Sequence, residues 1–331
     1  MHRARLEFDD GAWIELNVDD EETVAEAAMR QDSPLRVDCL SGECGACLAH
    51  CSDSSQILRN EAPVITASEA TRGLVATCRT RLRGQASFRL DYPLSPRPSE
   101  PAKLRGEVAR HDRLCETVSR LIIELHDCEE FVFQAGQYLR LRPPGLRVAR
   151  PYSIASTMAD LPFVELLIRH VPGGQVSGWL NDRATAGDKV TVQAPLGGFA
   201  ADTRAARQIF LAGGTGLAPV LSMIREQAQT GRDLTLCFGC SSPAELFMYD
   251  ELQELAHNTP SLDVRIALLR DAAGPISEGT ALSLLRDTDF TPETSFHLCG
   301  PPPMIASAQQ IFEDRGVADR RIRAERFLAS V

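Results

Sequence analysis

Hydrophobic and polar positions alternate in Arg5-Leu6-Glu7-Phe8, pause at Asp9-Asp10-Gly11, and alternate again in Trp13-Ile14-Glu15-Leu16. Two period-two runs flanking an aspartate-glycine turn predict a β-hairpin. The pattern next predicts a helix over 23–30, capped by Asp20 or the acids after it, then a cysteine-rich loop and a strand holding Cys78. Short apolar runs at 118–125, 138–141, 152–155, 163–169 and 189–193, separated by turns, predict a small antiparallel barrel. After 204 the period lengthens. Gln208-Ile209-Phe210-Leu211-Ala212 reads as a buried strand, Gly213-Gly214-Thr215-Gly216 as a turn, and 217–229 as a helix. Strands at 234–239, 264–269 and 295–299 alternate with further helices, the pattern of a doubly wound parallel sheet, which binds ligands at the carboxyl ends of its strands.

Between the first two patterns lie Pro93, Pro96, Pro98 and Pro101, a composition that favours an extended spacer of about 3.1 Å per residue. The expected division is 1–92, a linker at 93–102, a barrel over 103–203 and an α/β domain over 204–331.

Composition narrows the function classes. With 44% hydrophobic and 24% charged residues over 331 positions, the chain has room for two or three ordinary globular domains. No apolar run approaches the roughly 20 residues of a membrane helix, and Met1-His2-Arg3-Ala4-Arg5 shows no apolar signal core, so the expectation is cytoplasmic, with no membrane partner. A net charge of −10 argues against nucleic acid as a partner. Residues 1–92 hold 16 Asp/Glu against 10 Lys/Arg, and such a face either steers a basic partner or is a solvated surface, as at Asp19-Asp20-Glu21-Glu22.

Ten cysteines in a chain without an apparent leader read as reduced thiols and ligands rather than disulfides. Cys39, Cys44 and Cys47 stand in C-x4-C-x2-C order with Gly42 and Gly45 between them, and Cys78 follows at a distance. That is the spacing of a plant-type [2Fe-2S] ferredoxin, in which a glycine-bent loop supplies three thiolates and a second segment the fourth. A zinc site lacks its second pair of ligands here. Gly213-Gly214-Thr215-Gly216-Leu217-Ala218-Pro219 opens a helix after a strand and so presents N–H groups to an anion, although Pro219 replaces the third glycine of the Rossmann fingerprint and no acid ends the next strand. Arg150-Pro151-Tyr152-Ser153 places a cation, an aromatic plate and a hydroxyl together, suited to a phosphate, a flat ring and a ring nitrogen, and Arg169 with the Gly174-Gln175-Val176-Ser177 turn completes an anion cradle.

In this order, and with Val171-Pro172-Gly173-Gly174, Ala194-Pro195-Leu196-Gly197-Gly198-Phe199, Cys299-Gly300-Pro301-Pro302-Pro303-Met304 and Glu325-Arg326-Phe327-Leu328, the motifs resemble the ferredoxin-NADP reductase superfamily over essentially the whole chain. More narrowly, they resemble the NADH-dependent reductase components of bacterial oxygenases of the benzoate and anthranilate dioxygenase type. The resemblance implies a β-grasp ferredoxin-like α+β domain, an antiparallel β-barrel flavin domain and an α/β nucleotide domain. It implies FAD rather than FMN, a [2Fe-2S] cluster held by Cys39, Cys44, Cys47 and Cys78, and NADH as donor. Arg150 would meet the flavin phosphates, with Pro151 beside it, Tyr152 would lie against the isoalloxazine, and Ser153 would sit near flavin N5. Gly174, Val176 and Ser177 would hold the pyrophosphate. Gly214, Thr215, Gly216, Cys299, Gly300 and Pro301 would hold the dinucleotide, with Phe327 near both rings.

Such a chain converts two-electron into one-electron transfer. Neither a Rieske C-x-H pair nor an oxygen-activating iron site is recognisable, so oxygen chemistry is expected in a partner, a Rieske-type dioxygenase for aromatic hydrocarbons. A cytochrome P450 or di-iron monooxygenase on the same electron path is the alternative, and a non-enzymatic metal-cluster sensor a remote one. Cys51, Cys115, Cys128, Cys237 and Cys240 match no ligand pattern and are expected to pack in cores. The loop Cys240-Ser241-Ser242-Pro243-Ala244-Glu245 offers no base to a 2′-phosphate, which leaves Arg225 and Arg232 as the cations to place in three dimensions.

Overall fold

The computed structural model describes residues 1–94 and 101–327. It forms two compact units, Met1–Glu100 and Pro101–Val331. Pro96 and Pro98 of the expected linker and Leu328 of the terminal motif fall outside the described residues.

In the first unit β1 (His2–Glu7) and β2 (Trp13–Val18) form the expected hairpin, pairing His2 with Val18 through Glu7 with Trp13. Helix α1 (Val24–Arg30) follows, but its cap is Thr23 rather than Asp20 or its acidic neighbours. The Thr23 hydroxyl accepts from the Glu26 N–H while the Glu26 carboxylate accepts from the Thr23 N–H, so one Thr-x-x-Glu box satisfies both donors. Then come β3 (Leu48–Cys51), β4 (Ile57–Arg59), α2 (Ala67–Thr71), β5 (Leu74–Ala76), β6 (Thr80–Leu82) and β7 (Ala86–Arg89). The main sheet runs β2-β1-β7-β3-β5, with β1 and β7 parallel and its other pairs antiparallel, over a core that includes Leu6, Leu16, Val24 and Phe88. Cys78 lies in a 3-10 turn, Thr77–Arg79, between β5 and β6, and not in a strand.

The second unit opens with β8 (Ala102–Arg113), a long strand that its mainly polar sequence concealed. It is followed by β9 (Val118–His126), β10 (Tyr138–Arg142), β11 (Arg150–Ser153), β12 (Phe163–Arg169), α3 (Gln175–Asp182) and β13 (Lys189–Leu196). Their antiparallel sheet, β11-β10-β13-β8-β9-β12, nearly closes on itself through an Ile154–Leu166 bridge. β11 covers Arg150–Ser153 rather than 152–155, because Pro151 is accommodated on an edge strand and pairing to β10 ends at Ser153.

The parallel sheet comprises β14 (Arg207–Gly213), β15 (Asp233–Cys240), β16 (Leu262–Leu268), β17 (Ser277–Glu278), β18 (Thr294–Gly300) and β19 (Ile322–Arg326). Helices α4 (Leu217–Gln227), α5 (Tyr249–Asn258) and α6 (Pro302–Asp314) connect parts of it, α4 ending two residues before the expected 229. The order β17-β16-β15-β14-β18-β19 reverses between β14 and β18, which places the switch-point crevice at Gly213 and Cys299-Gly300. Barrel residues Ala155, Leu167 and Phe199 share one apolar core with Phe210, Leu217 and Met223 of the α/β lobe. Among the described residues no helix is long and apolar enough to cross a membrane.

Candidate functional site

The cysteine loop turns through left-handed backbone at Leu40 (φ 56°), Gly42 (φ 78°) and Gly45 (φ 75°). This curvature aims the N–H groups of Glu43 and Cys44 at the Cys39 sulfur, each at 3.4 Å. Thr77 pins the Cys78 turn to the loop by donating both its N–H and its hydroxyl to the Cys47 carbonyl at 3.0 Å. The four thiols then stand two and two, Cys39 against Cys44 and Cys47 against Cys78. The Cys44 thiol, helped by the loop N–H groups, draws the Cys39 thiol below its ordinary range, and the Cys78 thiol draws that of Cys47 down. Cys44 and Cys78 are pushed up by the same partnerships and by burial. Among the described residues no group of three or more His, Cys, Asp or Glu side chains suits a single ion. Two thiol pairs with amide donors aimed at the Cys39 sulfur fit a two-iron cluster. Cys51 stays apart in β3, buried and directed to the Asp53 carbonyl at 3.4 Å.

At the switch point the β18–β19 register sets Cys299 directly beside Glu325. Ser153, at the end of β11, donates to Glu325 Oε2 at 3.5 Å, and the Cys299 thiol approaches the same oxygen at 4.0 Å. Burial raises the Glu325 pKa to about 8, against the opposing Ser153 hydrogen bond, so the carboxyl is largely neutral at pH 7. Burial and the neighbouring Glu325 carboxyl together push the Cys299 thiol well above its ordinary range. Glu325 is a site residue that the sequence did not single out. It stands in the terminal Glu325-Arg326-Phe327 motif, but only the strand register reveals that it lies beside Cys299.

Other candidates gather around this point. Gly216 packs so closely on β18 that a Cβ there would stand 2.2 Å from the Cys299 carbonyl oxygen. A Cβ on Gly214 would stand 3.9 Å from Arg169 Nη1, so the barrel's arginine lies beside the nucleotide-lobe turn, next to Thr215. Phe327 donates its N–H to the Gly300 carbonyl at 2.9 Å, and Pro301 caps α6. In β11, Arg150 is paired in register with Leu141, Pro151 is exposed, and the Tyr152 hydroxyl is pushed up by burial. Gly174 caps α3, but the Ser177 hydroxyl is engaged on Val171 and the Val176 side chain is in the barrel core, which leaves only the backbone N–H groups of Val176 and Ser177 to face an anion. Cys237 and Cys240 are buried as expected, whereas Cys115 and Cys128 are only half-buried.

Three family matches run along this architecture. Residues 7–83 match the 2Fe-2S iron-sulfur cluster binding domain, 105–200 the oxidoreductase FAD-binding domain and 210–310 the oxidoreductase NAD-binding domain. The toluate 1,2-dioxygenase electron transfer component of Pseudomonas putida is 30% identical over 99% of both chains. The chain belongs to the oxygenase reductases of ferredoxin-NADP reductase type. Methane monooxygenase component C of Methylosinus trichosporium is 32% identical over 86% of both chains. The crystal structure of an Amycolatopsis cytochrome P450 reductase superposes over 99% of both chains with a TM-score of 0.70 and 27% identity. This oxygenase reductase therefore carries electrons from NADH through FAD and a [2Fe-2S] cluster toward a terminal oxygenase.

Proposed function

We propose that this reductase serves a Rieske-type aromatic-ring dioxygenase. The observation that carries this reading is the end-to-end similarity to the toluate 1,2-dioxygenase component. FAD, when bound, supplies the conversion of a two-electron hydride into single electrons, and the [2Fe-2S] cluster relays them one at a time. Cys39, Cys44, Cys47 and Cys78 would hold the cluster. Arg150 would bind flavin phosphate beside Pro151, Tyr152 would lie against the ring, and the N–H groups of Val176 and Ser177 would meet the pyrophosphate, with Gly174, whose own N–H is taken by the Val171 carbonyl, giving the close turn. Gly214, Thr215 and Gly216, with Arg169 at their side, and Cys299, Gly300 and Pro301 hold the dinucleotide, while Phe327 closes the edge of the site. Ser153 and Cys299 would flank the reacting rings, and Glu325 Oε2 accepts the Ser153 hydroxyl and so orients it. The corresponding domains are 1–92, 103–203 and 204–331, joined by a linker at 93–102.

Partner choice is tested by NADH-driven turnover of purified terminal oxygenases at rising salt. The acidic first unit should speed docking to a basic patch, an attraction screened over a Debye length of about 8 Å at 0.15 M. Turnover of the Rieske enzyme should therefore fall with ionic strength while flavin reduction by NADH stays constant. Turnover of a P450 or di-iron enzyme alone would reject the partner, and salt-insensitive turnover would reject the steering.

Coenzyme preference follows from where two arginines are held. Arg225 is committed to Glu165 and the Ala155 carbonyl, and Arg232 to Gln227 and the Thr203 carbonyl near the amino end of β15. Neither faces the loop that ends β15, where Glu245 opposes a 2′-phosphate. NADH should exceed NADPH in kcat/KM by at least about tenfold, roughly 1.4 kcal/mol. Steady-state comparison of the two coenzymes decides the matter, and an NADPH preference rejects it.

Glu325 also sets a pH dependence. Its folded pKa of about 8 lies above the ordinary value of 4.5, so the folded state holds a proton that the unfolded chain has lost. The associated stability is fully present below about pH 4.5 and is lost as pH rises through about 8. Flavin reduction by NADH should decline over the upper part of that window as the carboxylate charges. Glu325→Gln should remove both inflections, and a profile that keeps them in the variant assigns them to another group.

A further inference from the structure

Helix α4 begins at the Gly213–Gly216 turn and runs along the barrel, to which three of its polar links are directed. Fully buried Ser222 donates its hydroxyl to the Ser156 carbonyl at 2.6 Å. Arg225 Nη1 donates to the Ala155 carbonyl at 3.0 Å and to Glu165 Oε2 at 2.6 Å. Glu165 is itself fixed to the same segment, because its N–H donates to Ser156 Oγ at 3.0 Å and its carbonyl accepts the Ala155 N–H at 2.8 Å. Its second carboxylate oxygen pairs with Arg120 Nε at 2.9 Å, and Arg120 Nη2 reaches both oxygens of Glu251 on α5, at 2.7 and 2.6 Å.

The apolar core shared by the two lobes is non-directional and permits small sliding motions. Hydrogen bonds of this length fix direction as well as contact. Ala155 and Ser156 follow Ser153 by two and three residues, and Ser222 stands six residues, roughly 9 Å, along a stiff helix from Gly216. The links thus tie the segment holding Ser153 to the turn that opens the nucleotide site. A half-buried charged network of this kind is a weak source of net stability, and its value lies in specifying one arrangement.

We propose that Ser222, Arg225 and Glu165 form an interlobe clamp that sets the distance and angle between the Ser153 segment and the Gly213–Gly216 turn. They are positioning residues for the transfer of a hydride, one proton with two electrons, from nicotinamide C4 to flavin N5. The proposal rests on the reading that these two segments hold flavin and nicotinamide. A misplacement of about 1 Å costs on the order of a hundredfold in such a step.

The test uses the full chain loaded with FAD and iron, in anaerobic stopped-flow with NADH and with NADH deuterated at C4. Arg225→Gln should lower the saturating rate of flavin reduction about tenfold while the NADH dissociation constant stays within about twofold. The isotope effect should persist, and flavin and iron content should be unchanged. The Arg225→Gln/Glu165→Gln double variant should lose less than the product of the two single losses, because both remove one shared link. Arg225→Lys, which keeps a donor and a charge, should recover part of the rate. In the flavin-free chain, hydrogen exchange over residues 213–227 should be faster in Arg225→Gln than in the wild type. If Arg225→Gln does not fold, Ser222→Ala, which removes one hydroxyl, should still slow the step about threefold.

An unchanged saturating rate with only a lower melting temperature would overturn the clamp, as would independent, multiplying losses in the double variant. If Ser153→Ala leaves wild-type flavin reduction untouched, the underlying reading of the site falls and the clamp with it. That result is separable because it involves no member of the clamp.

Discussion

Serine in place of Cys39, Cys44, Cys47 or Cys78 is expected to abolish electron delivery through the cluster while sparing the flavin. A [2Fe-2S] centre needs four thiolates on two irons, and serine at one of them leaves a harder, less acidic oxygen ligand at a soft site. Iron should fall well below the roughly two atoms per chain of the intact centre, and NADH-driven cytochrome c reduction should drop by about a hundredfold or more. Ferricyanide, which takes electrons from flavin directly, should be reduced at near wild-type rates. Cys51→Ser is the control. Its thiol, at the end of β3, meets the Asp53 carbonyl rather than either cysteine pair, so iron content should stay unchanged. Iron lost in Cys51→Ser and kept in Cys78→Ser would overturn the assignment. Iron is measured by colorimetric assay, and the two acceptors are followed in parallel.

The cysteine loop was legible because its pattern is local, with three candidate ligands and two bending glycines within nine residues. The barrel and the parallel sheet were legible from the change of hydrophobic period near 204. What stayed hidden depends on register. Glu325 and Cys299 are neighbours only because β19 lies beside β18, and Ser153 reaches them from another lobe. Cys78 belongs to a turn, because the chain must leave β5 and present its thiol to Cys47 before β6 begins. Thr23 won the helix cap over a run of four acids through its reciprocal bond with Glu26, which leaves Asp20 to pair with the N-terminus and Glu22 with Arg30. β8 carries too few apolar residues to announce a strand, and it is held by its neighbours β9 and β13.

Asp289, a residue with no visible motif around it, carries the second large effect. It is fully buried and accepts from Arg265 Nη1 at 2.6 Å, Arg207 Nη2 at 2.9 Å and the Arg286 N–H at 2.8 Å. Burial by itself would raise its pKa, but these donors, Arg265 first, hold it below the ordinary 3.8. Its stability contribution is therefore present above about pH 4 and is lost as pH falls through the depressed folded value. Asp289→Ala leaves Arg265, only 7% exposed, with a single carboxylate partner in Asp263. Removing one member of a buried pair costs about 3–5 kcal/mol, which for a unit of this size is a fall in melting temperature on the order of 10 °C. Arg207 and Arg265 bind strands β14 and β16 away from the Gly213 and Gly300 edge, so flavin reduction by NADH at low temperature should be unaffected. Asp289→Asn, which keeps an acceptor, should lose less. The double change Asp289→Leu with Arg265→Met removes both charges and should recover most of the loss, since an apolar pair of similar volume replaces a buried ion pair at little net cost. Thermal melting of the four proteins from pH 4 to 8 measures this, and an Asp289→Ala variant that melts with the wild type would show that the buried charges are not coupled to the stability of the lobe.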